Sequence, residues 1–594
     1  MPARSARRSL AVAIALALAT VTPSLAGGDT VRPPGPPPAN PDCRGTNQPV
    51  DRATELVHNV YRIGPHRAVT LPADLSWTED PLHDHNWQFD LHGMRYVLDL
   101  LSATRLTGNA GFARRAVVLV RDWIADNPRR GAPSPWAWND HTTALRALVL
   151  ACVADQRGLP EWLRASLLLH GATLADPAFA RREGNHALNQ AIALLEVGRV
   201  VGRRDWTLLA GRRINDLIEA SVDRQGVTNE QSVKYELFNY QRYVQARARM
   251  IAAGLAPSPA FRRIAKMPAF LANATLPNGQ YEMLGDTVAS PVVAIPHTAA
   301  EYAATRGTRG TRPTQTVARY GAGFLFARSG WGELRKPADE TFLSVRWGDG
   351  QRFHGHPDGL ALTMAAWGSR LVVDPGAYSY TPGPFRSFFK GRSAHNVVTV
   401  DGVPWNPAAR TDLVNWHQDP VFVDLRLRTS GYPGVVQTRR ITWLRGLDVV
   451  LVEDVLTSST PRTYRQLWHL VDGSDPAVGA SSVWTRRARG NVEIQQLTGK
   501  PTLRLVSGIT SPVQGWISYH YGKKLQAPVA EAILRGRTVR YLTLIAVATG
   551  RPSPDVSGLR IRPSGYGMTI TVGDRVERVA TNGDSIWVVP LSEG

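Results

Sequence analysis

The sequence predicts an α+β multidomain protein, with a helical half built as an α/α toroid followed by an all-β half. Three observations predict it. The chain has 594 residues, more than a single hydrophobic core serves, so two or three domains are expected. From about Ala53 to Ala303, apolar residues recur at three- and four-residue steps, the helical period. Beyond the Gly-, Thr- and Arg-rich stretch ATRGTRGTRPTQTV the period falls to two, as in half-buried strands. The expected boundaries are 1–26, 27–52, 53–315 and 316–594.

Residues 1–26 read as a secretory signal. MPARSARR is a basic start, SLAVAIALALATV an apolar core, and Ser24-Leu25-Ala26 a small-x-small cleavage site. That apolar run is too short for a spanning helix, and no later run is long enough, so the mature protein is expected to be exported without a membrane span. VRPPGPPPANPD then reads as a proline-rich linker within 27–52. The hydrophobic fraction of 43% and the 17 tryptophans fit a globular chain and argue against disorder. The formal charge of +20 is only slightly reduced by removing Arg4, Arg7 and Arg8 with the signal. Such a surface favours polyanions. No nucleic-acid-binding motif accompanies it, which leaves acidic polysaccharide or a generally Arg-rich proteome. Cys43 and Cys152 could pair in an oxidising compartment, but they lie far apart in sequence.

In the helical half, LHGMRYVLDLLSATRL, FARRAVVLVRDWIAD, TTALRALVLACVADQ, EWLRASLLLHGATLA, HALNQAIALLEVGRVV and YQRYVQARARMIAAGL each carry an apolar stripe between short Gly, Pro and Asp breaks. Antiparallel helix pairs with short loops make a toroid or a solenoid; without a strict repeat, a toroid of diverged hairpins is expected. In the β half, TFLSVRW puts Phe342, Ser344 and Arg346 on one face and Leu343, Val345 and Trp347 on the other. VVQTRRITWLRG, LDVVLVEDVL, TYRQLWHLV and RYLTLIAVA continue as strands.

Three polar clusters could carry chemistry. Asn185 and His186 precede the helix HALNQAIALLEVG; Asn185 is either an N-cap or a group facing a cleft. Tyr235, in NEQSVKYE, is either a packed ring or a proton-transfer group whose phenol pKa cationic neighbours lower. The third cluster is WGDGQRFHGHPDG through KGRSAHNVVTVDG. It holds His354, His356, Asp374 and His395, and imidazole with carboxylate is a good set for a divalent metal such as zinc. A core histidine bonded to backbone is the plain alternative for His395. No nucleophile elbow or phosphate-binding glycine loop is present.

Gly-Asn-His before a helix, Glu-x-Ser-x-x-Tyr, His-Gly-His-x-Asp, Asp-Pro-Gly and Ala-His-Asn, in that order, resemble the heparinase II/III-type polysaccharide lyases, a group that includes alginate lyases. RYGAGFLFARSGW resembles that family's first strand, and the likeness covers most of the mature chain. It implies an incomplete (α/α) toroid, a C-terminal antiparallel β-sandwich and a cleft between them. By position, Asn185 and His186 would contact the uronate carboxylate, with Tyr235 as the proton-transfer residue and His354 as its partner. Tyr378 would contact substrate, and His356, Asp374 and His395 would bind a structural zinc. The sequence has Glu236 where many relatives place histidine.

The resemblance implies β-elimination on a uronic-acid-containing polysaccharide, glycosaminoglycan or alginate in type. Asn185 and His186 would stabilise the enolate-like dianion, Tyr235 or His354 would remove the C5 proton, and an acid would protonate the leaving oxygen. Two other readings stand beside it. One is an inverting α/α-barrel glycoside hydrolase using Glu230 and Glu236. The other is a non-catalytic glycan-binding protein, resting on charge and tryptophans. Arg95, Trp136, Trp138, His141 and Arg146 are candidate substrate clamps. Oligomeric state is not legible.

Overall fold

The computed structural model describes residues 43–333 and 335–591. The expected signal and most of the expected linker lie outside the described residues. The helical half opens earlier than expected: helix α1 (Pro49–Val57) begins inside the stretch read as linker. The segment before it is fixed to the domain. Asp99 accepts from the backbone and hydroxyl of Thr46, and Cys43 is disulfide-bonded to Cys152 with Cα atoms 5.3 Å apart.

Helices α2 (His85–Gly93), α3 (Val97–Thr107), α4 (Ala110–Asp126), α5 (Asp140–Arg157), α6 (Glu161–Ala175), α7 (Gly184–Val201), α8 (Arg204–Ser221) and α9 (Val233–Ala252) follow with short connections. Side-chain pattern sorts them into two rings. α5 and α7 are buried nearly all round and pack on each other, as inner helices must. α4, α6 and α8 keep one polar face toward water. This is the expected toroid. No described helix is long and apolar enough to cross a membrane.

The β half is more layered than a two-sheet sandwich. A five-stranded antiparallel sheet runs in sequence order through Val317–Tyr320, Phe324–Arg328, Phe342–Arg346, Leu362–Ala366 and Ser369–Val372. The predicted alternation holds: Leu343, Val345 and Trp347 join one core, and Phe342 joins another shared with Phe270 and Val233 of the helical half. The sheet is therefore covered on both faces. Its far face meets a ten-stranded sheet centred on Val449–His469 and Val529–Ala548. There the period of two again assigns the layers. Val450 and Val452 face the five-stranded sheet, while Val449 and Leu451 face a terminal four-stranded sheet, residues 555–590. The order is helices, five strands, ten strands, four strands.

Candidate active site

The inner helices set the site. α2, α5, α7 and α9 all present their N-terminal ends to one groove of about 560 Å³, where Asn86, His141, Asn185, Lys234 and Tyr235 are among the lining residues. Helix N-termini carry partial positive charge and free N–H groups, which suits an anionic ligand. Arg95, Lys234, Arg242 and Lys523 add formal charge to the lining, against Asp90 and Asp286. The β half closes the groove with Tyr380, His520, Tyr521 and Lys523, and Tyr521 Oη donates to Asp84 Oδ1 across the boundary (3.0 Å). A larger cavity, about 720 Å³, lies at the opposite ends of α5, α7 and α9, beside the disulfide and remote from these groups.

Asn185 is not an N-cap. Glu183 takes that position, and the Asn185 backbone donates to Glu230 Oε1 (2.7 Å), leaving its side chain on the groove wall. His186 follows Asn185 at the same helix start with its side chain exposed. It is not among the groove's lining residues; it bonds Asp140 Oδ2 through Nδ1 (3.1 Å) and lies on the ring of His141, centroids 4.0 Å apart. His141 takes the wall position instead. Burial keeps its imidazole well below its ordinary pKa, hence neutral, and Asn189 Nδ2 donates to its Nε2 (2.8 Å). Burial would raise the Asp140 carboxyl, but hydrogen bonds from His186 and Arg181 prevail and lower it.

Tyr235, on the groove wall, meets His354, which is not itself among the lining residues but keeps its side chain 17% exposed behind the Tyr235 ring. Their rings are parallel within 6° at 3.4 Å between centroids, and the Tyr235 hydroxyl shares a hydrogen bond with Tyr380 Oη (2.9 Å). The expected lowering of the phenol pKa is not found. Burial pushes it well above its ordinary value; the bond to Tyr380 opposes this, and the Asp286 and Glu230 carboxylates reinforce it. The ring is only half-exposed to the groove, whose walls displace the bulk water that would stabilise a phenolate. Lys234 is exposed to the same groove, yet the surrounding protein lowers its pKa, with Asp286 and Asp90 opposing.

Asp286, from the loop after the toroid, is the hub that sequence reading missed. Its carboxylate is buried and accepts four bonds from the β half: His354 Nδ1 (3.2 Å), His356 Nε2 (3.1 Å), and Arg386 Nη1 and Nη2 (2.7 and 2.9 Å). Burial works against its charge, but these bonds hold it ionised, well below the usual carboxylate range. An ionised carboxylate only accepts, so His354 is protonated on Nδ1 and His356 on Nε2. His354 Nε2 then lies 3.7 Å from Glu230 Oε2, its side chain 17% exposed. Two glycines make the approach possible. A Cβ on Gly355 would stand 2.2 Å from Gln231 Oε1, and Gly285, at φ +61°, would meet the His354 carbonyl at 2.7 Å. Gln231 in turn accepts from Arg352 N (2.7 Å) and donates to Gly350 O, clamping the His-Gly-His loop to the toroid.

His356, Asp374 and His395 converge as predicted. All three are buried, and one ligand atom from each lies within 4.8 Å of the others. The fit to a metal is chemical as well as spatial. His356 Nδ1 and His395 Nε2 are buried without a hydrogen-bond partner among the described residues, while the opposite nitrogens bond Asp286 and Asp374. A carboxylate behind a ring, as Asp286 stands behind His356, is the usual support of a metal-binding histidine, and His395 Nδ1 lies 2.7 Å from Asp374 Oδ2 within the trio itself. The group could therefore hold a metal ion.

The remaining candidates divide between the groove and the packed interior. Tyr378 packs on Phe389 and Phe385 (centroids 5.3 and 5.9 Å) and does not line the groove; Tyr380, two residues on, does. Arg146 is fully buried, bonded to His92 O and His170 Nε2 and set 3.6 Å over the Trp123 ring, so it is structural, as is Trp138 against His170. Trp136 is held by Gln88 and by Phe89 beside the groove. Arg95 and His141 line it. Glu230 and Glu236 do not form a hydrolase pair. Glu236 is buried away from the groove, accepting from Thr228, and burial pushes its carboxyl up to about 8.

Comparison with known proteins agrees with this geometry. Residues 44–305 match the family model described as Heparinase II/III N-terminus, and residues 319–554 match Heparinase II/III-like, C-terminal. The chain is 21% identical over 555 residues to a heparin-sulfate lyase of Pedobacter heparinus, covering 86% of this chain and 82% of the relative. A solved heparinase III superposes with a TM-score of 0.78 at 15% identity, over 93% of this chain and 94% of that one. Heparan sulfate lyase of Pedobacter heparinus gives 0.65 at 19%, over 92% and 90%. The chondroitin AC lyase of Streptomyces coelicolor gives 0.55 at 11%, over 93% and 92%. The chain belongs to the heparinase II/III family of polysaccharide lyases.

Proposed function

We propose that the protein is an exported lyase that cleaves a heparan-sulfate-type glycosaminoglycan by β-elimination, with His354 as base and Tyr235 as acid. The carrying observation is the stacking of Tyr235 on His354 at a cationic groove into which four helix N-termini point. A C5 proton is weakly acidic while the adjacent carboxylate keeps its charge. Asn185, the helix termini and the basic residues stabilise the dianion that forms when it leaves. His354 Nε2 carries the lone pair because Asp286 holds the other nitrogen's proton; it takes the C5 proton. Tyr235, kept as a neutral phenol, gives its proton to the departing glycosidic oxygen. The C4–O bond breaks, a C4–C5 double bond forms, and no water is consumed. Tyr380 orients the phenol through the shared hydrogen bond. His356, Asp374 and His395 would hold zinc, whose part is to fix the loop carrying His354. Export rests on the basic-apolar-cleavage pattern of residues 1–26, and the disulfide is compatible with an oxidising compartment.

The test is a panel of heparan sulfate, heparin, chondroitin sulfate, hyaluronan and alginate, followed by the ultraviolet absorbance of the unsaturated uronate. Reducing ends released without that absorbance would exclude elimination. The roles separate with a substrate carrying an activated leaving group at C4. It should restore turnover to Tyr235→Phe but not to His354→Ala, and the opposite pattern would reverse the assignment.

A further inference from the structure

We propose a second glycan-binding surface on the outer face of the terminal four-stranded sheet, which takes an acidic polysaccharide through Trp587, Arg560 and Arg578. The sheet has strands 555–562, 565–572, 575–582 and 585–590 in sequence order. Its inner face is fixed by the core: Met568 and Val579 are buried against the ten-stranded sheet, together with Tyr566 and Ile570. The alternate residues must then face outward.

Register gives the outer face its layout. One cross-strand row reads Arg560, Gly567, Ala580, Trp587, and the next reads Ser557, Thr569, Arg578, Val589. The first row is a trough. Glycine and alanine form its floor, with an arginine at one end and a tryptophan at the other. Three strand spacings make it about 14 Å long, enough for a few sugar rings. Thr569 and Arg578 flank it along one side, and Arg562 continues the first strand.

Among the described residues nothing pairs with these groups. Trp587 is 53% exposed, with no ring or cation partner among the described residues. Arg560, Arg562 and Arg578 are exposed and have no ion-pair partner among them. The sheet's acids lie away from the two rows, and Asp574 stands in the turn beyond Val572 and Arg575. Glu577 faces the interior, and Asp584, in the last turn, pairs with Arg426. Asp555, on this face, stands at the start of the first strand, beyond the Ser557 row. A floor of small residues with an unstacked indole and, among the described residues, unpaired guanidiniums suits a sugar chain bearing carboxylate or sulfate. The indole covers an apolar ring face, and the guanidiniums take planar anions in two-pronged bonds. A second copy of this chain fits worse, because a twofold contact would set these arginines against their equivalents.

The choice of glycan rests on the lyase reading above, so the experiment measures binding apart from turnover. The full-length Tyr235→Phe protein, with and without Trp587→Ala, Arg560→Ala and Arg578→Ala together, is eluted by salt from immobilised heparan sulfate. The active protein with and without the same three changes is assayed on the polymer and on a heparan sulfate tetrasaccharide. The proposal expects earlier elution and about tenfold weaker polymer binding, with a matching rise in polymer KM and unchanged kcat/KM on the tetrasaccharide. Trp587→Ala alone should give part of the shift. Unchanged elution would overturn the proposal. So would an equal loss on both substrates, or a native mass that falls from dimer to monomer, which would make the face a copy interface. If heparan sulfate is bound but not cleaved, the lyase reading fails while the elution comparison still decides this one.

Discussion

Asp286→Asn is the sharpest probe of the site, because one carboxylate serves two histidines and an arginine. The native group accepts at Oδ1 from His356 and Arg386 and at Oδ2 from His354 and Arg386. An asparagine of the same shape accepts at one oxygen only. Its amide nitrogen, placed at either position, points a donor at a guanidinium N–H and an imidazole N–H. One histidine must then flip its proton to the other nitrogen or turn away. If His354 flips, its Nε2 becomes protonated and can no longer take a proton; if His356 flips, its Nδ1 lone pair is lost to the metal group. The expected loss in kcat is about 10²- to 10⁴-fold, the range for removing general base catalysis. Leaving Arg386 without its counter-charge costs roughly 3 kcal/mol of stability or less, since its side chain is 11% exposed and water can reach it. The assay pairs turnover with metal content per chain and a thermal melt. KM should change little, because the groove's cations are untouched. A folded variant with near-normal kcat and full metal occupancy would refute the hub.

Glu236→Gln should keep turnover, which an inverting hydrolase would not. The sign of its pH effect follows from a carboxyl held at about 8 in the fold and near the ordinary 4.5 when unfolded. The folded state binds the extra proton between those values, so native Glu236 leaves stability intact below 4.5 and erodes it as pH rises toward 8. Urea denaturation should therefore show Glu236→Gln gaining on the wild type by about 2–3 kcal/mol at pH 7 and little at pH 4. Replacing Cys43 and Cys152 by serine reopens a loop with a sequence separation of 109 and should cost about 2–5 kcal/mol of stability, seen as a lower Tm with activity retained below it. His395→Ala should lower bound metal and protease resistance of the His354 loop together; unaltered metal content would remove His395 from the ligand set.

Much of this was legible because the informative signals were local. Helix period and strand alternation depend only on neighbouring residues, and the faces assigned to TFLSVRW are those observed. The convergence of His356, Asp374 and His395, a group that could hold a metal ion, was legible because they stand in loops next to strands of one half. What failed was direction and partnership across the halves. Asp286 sits in LGDT, a stretch with no pattern, and becomes important only when the β half places Arg386 and two histidines on it. Tyr378 and Tyr380 were separable only by backbone conformation: Tyr378 adopts φ +62° and turns its ring onto Phe389, leaving the groove to Tyr380. His186 and His141 share a stack at two helix termini that both reach the groove, and the bond from His186 to Asp140 leaves His141 as the ring among the lining residues.

Why the site lies between the halves follows from the charges each half can hold. The toroid supplies helix N-termini, which attract a carboxylate but also stabilise an anionic base such as a phenolate in its unprotonated form and so weaken it as a proton acceptor. An imidazole backed by a carboxylate offsets that field, because the carboxylate stabilises the imidazolium formed, and it comes from the β half on the His-Gly-His loop. The loop needs a counter-charge to fix its tautomers, and the toroid returns one in Asp286, shielded by Arg386 so that little net negative charge faces the substrate. Neither half is catalytic by this logic when apart. Loosening the seam with Gln231→Ala, which removes the clamp on the loop but touches no reacting group, should lower kcat more than it raises KM, and an unchanged kcat would show that the loop is positioned by the β half alone.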